Sequence, residues 1–184
     1  KGCPIIDSTA TRNTSGQFGL YSFQQSATGL ASYFDNIVVT ALPTPVDFSE
    51  NFESGKASAA WGTYYTLAAT GIAEDTVKAR PMAQAPKPLT GGGSYVGLLQ
   101  DINGSFTGSA VSVAGSTSLR DYSIEADVYC YVNQSLSAYS GLVVYADSMQ
   151  KDFYKLRVDF DVSDRINFSG LKSDPNTFLP LFSV

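Results

Sequence analysis

The sequence predicts an all-β protein built as a two-sheet antiparallel sandwich, and three observations carry that reading. Short runs rich in Val, Ile, Tyr and Phe are separated by Gly, Ser and Asn turns along the whole chain. No stretch shows the 3.6-residue apolar period of an amphipathic helix. Many short strands of this kind bury their apolar faces by stacking sheet on sheet. With 43% hydrophobic and 16% charged residues, the 184-residue chain has enough apolar matter for a core and too few charges for disorder.

Taken in order, Pro4-Ile5-Ile6 reads as a strand leaving into a polar turn at Asp7-Ser8-Thr9. Two aromatic-rich runs follow, Gly16 to Phe23 and Ala31 to Val39, joined by the softer Gln24 to Leu30. Pro43-Thr44-Pro45 then stops regular structure, because proline donates no amide and forces the residue before it into an extended path. The chain therefore divides into residues 1–42, a linker or strand-to-strand crossing at 43–46, and a main unit at 47–184. That unit opens on Phe48-Ser49-Glu50-Asn51-Phe52-Glu53-Ser54-Gly55, with Trp61 shortly after. Strands are expected at Thr63 to Leu67 and Gly71 to Lys78, then a Pro- and Gly-rich loop from Arg80 to Gly93, then strands at Tyr95 to Leu99 and Ala110 to Val113. The best pattern lies in Tyr122 to Val132. Tyr122, Ile124, Ala126, Val128, Cys130 and Val132 share one face; Glu125 and Asp127 fall on the other. Gly141 to Ala146, Phe153 to Phe160, Arg165 to Leu171 and Phe178 to Val184 complete the strands.

Composition excludes several chemistries. A net charge of −5 argues against nucleic acid as a partner, since a phosphate-binding face needs clustered Lys and Arg. With no His in the chain there is no imidazole base, no Ser–His pair and no ordinary zinc or copper site. No apolar run approaches the roughly 18 residues that span a membrane. The chain begins at Lys1 rather than Met, and is expected to be processed or cut from something longer. Cys3 and Cys130 either pair, as suits an extracellular setting, or remain two thiols. The sequons at Asn13, Asn103, Asn133 and Asn167 outnumber what this composition places by chance and add weight to secretion.

The motifs resemble the concanavalin A-like (laminin G-like) jelly-roll families of secreted bacterial and eukaryotic proteins. The likeness rests on Phe48-x-Glu50-x-Phe52-Glu53-x-Gly55 with its following Trp, on Asp121-Tyr122-Ser123-Ile124-Glu125-Ala126-Asp127, on Ser140-Gly141-Leu142-Val143-Val144-Tyr145 and on Phe153-Tyr154-x-Leu156-Arg157-Val158. Gly16-Gln17-Phe18-Gly19-Leu20-Tyr21 and Tyr33-Phe34-Asp35-Asn36-Ile37-Val38-Val39 resemble the hairpin that closes such domains, yet here they come first. In the order this resemblance implies, roughly 20 residues, two strands and a turn, are missing between Val184 and Lys1. The chain is then a window on a tandem array, a circular permutant, or a unit whose first strands complete a neighbour's sheet.

The same resemblance nominates sites. Glu125-Ala126-Asp127 is similar to the paired carboxylates of family 16 glycoside hydrolases, but Val128, Tyr129 and Cys130 stand where their second Glu follows, so no enzyme is expected. Jelly rolls of this kind often hold a structural Ca²⁺, which implies Asp35 with Glu50 or Glu53 as ligands; carboxylates capping nearby amides are the alternative. Asp159, Asp161 and Asp164 read as a solvated turn. Tyr129 and Tyr131, on the face of Glu125 and Asp127, offer a surface for a glycan or a protein, with Tyr64, Tyr65, Tyr95 and Tyr139 as further stacking candidates. The expected function is that of an extracellular, non-catalytic structural or adhesive module in a repeated or polymerising surface protein. Its partners are then other copies of itself or glycans. The alternative is a carbohydrate-binding module of a polysaccharide-degrading enzyme.

Overall fold

The computed structural model describes residues 14–24, 32–41, 48–68, 78–82, 93–99, 108–130, 138–147, 152–160, 166–173 and 178–183. Among them the regular elements are strands: β1 (Gln17–Gln24), β2 (Ser32–Ala41), β3 (Phe48–Glu50), β4 (Gly62–Ala68), β5 (Lys78–Pro81), β6 (Tyr95–Leu99), β7 (Gly108–Ala114), β8 (Tyr122–Cys130), β9 (Ala138–Asp147), β10 (Asp152–Phe160), β11 (Ile166–Ser173) and β12 (Phe178–Ser183). They form two antiparallel sheets. The first has seven strands in the order β12-β11-β10-β9-β1-β7-β4. In the second, β2 pairs along one edge with β3 and β6 and along the other with β8, while β5 extends the sheet from β6.

The two aromatic runs at the start of the chain become interior strands, one in each sheet. β1 pairs with β7 on one side and β9 on the other, matching Leu20 to Ser112 and to Leu142. β2 pairs with β3 through Val39 and Phe48, so residues on both sides of the Pro43–Pro45 stretch share one sheet. The connection itself, 42–47, lies outside the described residues, as does 71–77, part of an expected strand. The expected loop at Arg80 to Gly93 starts later than its prolines suggest, because Lys78–Pro81 pairs with β6. Proline is tolerated there because β5 is an edge strand among the described residues.

Strand alternation sends one face of each sheet into a shared core. Phe18, Leu20, Phe34, Ile37, Val39, Phe52 and Leu99 are buried there with Trp61. The Phe18 ring sits among Phe48 at 5.1 Å, Trp61 at 6.0 Å and Tyr122 at 6.4 Å, the last two edge-on. Three core serines pair with one another, whereas the Trp61 indole N–H is buried with no acceptor among the described residues. The Ser140 hydroxyl donates to Ser32 Oγ at 2.7 Å, which donates to Ser22 Oγ at 2.8 Å, tying β9, β2 and β1 together across the sandwich.

A second tie forms where β9 bulges. Tyr145 takes a left-handed φ of 53°, and the registers of β9 with β1 and β10 both shift nearby. The Tyr145 amide donates to Tyr122 Oη at 2.8 Å, and that hydroxyl donates to the Gln17 carbonyl at 3.3 Å. Burial pushes the Tyr122 phenol well above its ordinary value, the Tyr145 amide opposing. Tyr122→Phe keeps the ring and strands the amide, so it is expected to cost about 1–3 kcal/mol in urea unfolding. A change below a few tenths would mean that water replaces the hydroxyl.

Candidate functional site

The segment after β3 turns sharply because Phe52 adopts a left-handed φ of 58°, which an aromatic residue enters only under constraint. Two features hold it. Its ring lies fully buried against Gly97, where any Cβ would overlap it. The Glu50 carboxylate reaches over the turn, accepting the Phe52 amide through Oε1 at 2.9 Å and the Ser58 amide through Oε2 at 2.7 Å. Glu53 does the same for the next loop, taking the Ser94 amide at 2.8 Å and the Tyr95 amide at 3.1 Å.

Asp35 stands where β2 loses register with β8. Asn36 takes φ 49° there; its amide donates to Asp35 Oδ1 at 2.8 Å and its Nδ2 to Asp127 Oδ2 at 2.9 Å. Burial raises the Asp35 carboxyl above the usual range; the Asn36 amide opposes this, and Glu53 and Asp127 reinforce it. Five of the six carboxylate oxygens of Asp35, Glu50 and Glu53 thus each accept a backbone amide. Among the described residues no three His, Cys, Asp or Glu side chains gather in a way that holds a metal ion. These side chains cap loop amides, the alternative that the sequence left open beside Ca²⁺ ligation.

Of the four side chains expected on the outer face of β8, three fall among the described residues. Glu125 and Asp127 are exposed on the outer face of the second sheet, and Tyr129 is half-buried against Tyr33 at 6.2 Å. β2 adds Asn36, Thr40 and Val38, the last 45% exposed and paired in register with Glu125. Tyr131 lies outside the described residues, as do Cys3, Asn13, Asn103, Asn133, Asp161 and Asp164. Cys130 and Asp159 fall on β8 and β10, Asn167 on β11, and Tyr64 and Tyr65 on β4. Tyr95 is turned partly into the core.

The other face of the seven-stranded sheet is largely buried too: Tyr21, Val111, Val113, Val143, Ala146 and Phe153 form a second apolar cluster, with Phe23 and Tyr139 half-buried beside it. On the outer face of the seven-stranded sheet Phe23 stacks on Tyr139 at 5.2 Å and 18°. The Arg157 guanidinium lies 4.3 Å over Tyr139, and Lys155 Nζ lies 3.8 Å over Tyr21. The Phe153–Phe160 alternation predicts charged-out and apolar-in, yet Lys155 is 3% exposed and Leu156 40%. The ring that receives Lys155, Tyr21, comes from β1, and no single-strand pattern reveals it. Burial, then Arg157, pushes the Lys155 ammonium down to about 7. In the unfolded chain this amine keeps its usual proton up to about pH 10.4, so the folded state binds fewer protons above pH 7. Stability relative to Lys155→Met is therefore expected to be lowest below pH 7 and to rise toward pH 10, read as Tm against pH. A flat difference would refute the burial of charge.

No match is found among protein-family models, curated proteins or solved structures. Function is therefore argued from these surfaces. No helix among the described residues is long and apolar enough to cross a membrane.

Proposed function

We propose that the chain is a non-catalytic structural or adhesive module of an extracellular surface protein, a concanavalin A-like (laminin G-like) jelly roll that makes contacts through the outer face of its second sheet. The supporting observation is the make-up of that face: exposed Val38 among Asn36, Glu125, Asp127 and half-buried Tyr129. An exposed apolar side chain flanked by polar groups suits a protein contact. Glu125 and Asp127 would oppose themselves in a two-fold contact, so two copies meet through different faces, the geometry that extends into open arrays. Pairing of β1 with its own chain on both edges favours one self-closed bead of a repeated protein over strand lending.

The test is light scattering across a concentration series. Self-association that Val38→Asp abolishes is expected, and a monomer at millimolar concentration in both proteins sinks the proposal. A carbohydrate-binding module is favoured by one observation, the Phe23–Tyr139 stack beside Arg157. Glycan-array binding lost in Tyr139→Ala would establish it, and silence at millimolar sugar would remove it.

A further inference from the structure

The outer face of the second sheet carries its two signs of charge on different strands. One row of registered partners crosses that face: Tyr129 of β8 faces Tyr33 of β2, Tyr33 faces Leu98 of β6, and Leu98 faces Lys78 of β5. Facing residues of an antiparallel pair project to the same side, as do residues two apart along a strand. Glu125 and Asp127 on β8 therefore share a side with Lys78 and Arg80 on β5, and all four are exposed. Between the two cations Ala79 turns the other way and packs against the core. Arg80 also acts electrostatically on Tyr33, opposing the burial that raises its phenol.

Spacing makes the two patches complementary. Each is a pair of like charges two residues apart, a pitch of about 6.5–7 Å along a strand. Among the described residues Lys78 and Arg80 are the exposed cations at that pitch, since Lys155 is buried and Arg157 half-buried over tyrosine rings. Three strand spacings separate β5 from β8, about 14 Å, beyond the Debye length of about 8 Å at physiological salt. The patches are thus too far apart to neutralise one another within a copy. Asn36 Nδ2 donates to Asp127 Oδ2 at 2.9 Å and holds that carboxylate in place.

We propose that Lys78 and Arg80 of one copy dock on Glu125 and Asp127 of the next, joining copies head to tail with Val38 beside the contact. This rests on the outer face being a contact surface and names what it meets. Charge complementarity selects a second copy as the occupant, because every copy carries both patches at matching pitch. Each contact leaves one acidic and one basic patch for further copies, so the chain of copies does not close on a pair.

The full chain is compared with two charge reversals, Lys78→Glu with Arg80→Glu and Glu125→Lys with Asp127→Lys, by light scattering across a concentration series at fixed ionic strength. Each reversal alone is expected to weaken self-association at least about tenfold, because like charges then face each other. An equimolar mixture of the two is expected to regain it, since every contact between unlike variants again joins opposite signs. Net charge alone predicts otherwise: the first variant is more acidic than the parent and the second less, so their effects would be opposite. The neutral variant Lys78→Gln with Arg80→Gln repeats the test without repulsion and is expected to weaken association about threefold. Unchanged association in either reversal, effects of opposite sign, or a mixture that stays monomeric would overturn this pairing, while loss of association in Val38→Asp would still uphold the surface. A parent that is monomeric at millimolar concentration sinks both.

Discussion

Phe18→Ala is expected to lower the unfolding free energy by about 3–5 kcal/mol, the largest loss from a single substitution in this chain. Phe18 is fully buried, and it sits on an interior strand of the seven-stranded sheet. Its ring meets Phe48 of β3, Trp61 and Tyr122 of β8, so one side chain joins the first sheet to groups on both flanks of the second. Truncation leaves a cavity walled by three other rings, and β1, paired on both edges, has little freedom to collapse into it. A domain holds only about 5–15 kcal/mol in total, so this variant is expected to unfold at markedly lower urea. Phe18→Leu, which refills much of the space, should lose far less. If both variants unfold within about 1 kcal/mol of the parent, Phe18 is not the keystone described.

Glu50→Ala is the second large effect, at about 2–4 kcal/mol, because it strands the Phe52 and Ser58 amides next to a residue already held at an unfavourable φ. Glu50→Gln keeps one acceptor oxygen and is expected to lose roughly half as much. The same measurement separates a loop staple from a metal ligand. If the carboxylate answers only to amides, EDTA leaves the melting temperature of the parent unchanged. A fall of several degrees on chelation, reversed by Ca²⁺, would establish the calcium assignment.

Much of the fold is legible in the sequence, and for a definite reason. In Tyr122 to Cys130 the period of two places Ile124, Ala126 and Val128 inward and Glu125 and Asp127 outward, as the sandwich requires. β1 and β2 are equally visible, since Phe18, Leu20, Phe34 and Val39 leave no other use for those runs. Legibility fails where meaning depends on what another strand brings. Glu50 and Glu53 have the chemistry of calcium ligands, and only the fold reveals the amides that occupy them. Lys155 looks solvent-bound until β1 supplies Tyr21 beneath it, and Leu156 looks buried by its pattern yet is 40% exposed.

The placement of β1 bears on how the chain is made as well as on what it becomes. A ribosome releases β1 well before β7 and β9, the strands that claim its edges. At about 5–20 residues per second, the apolar strand bearing Phe18, Leu20 and Tyr21 waits several seconds without either neighbour. Pairing across such sequence distances is slow in its own right. Biogenesis therefore favours conditions that shield this first strand, and the yield of native protein will depend on how long it stands alone.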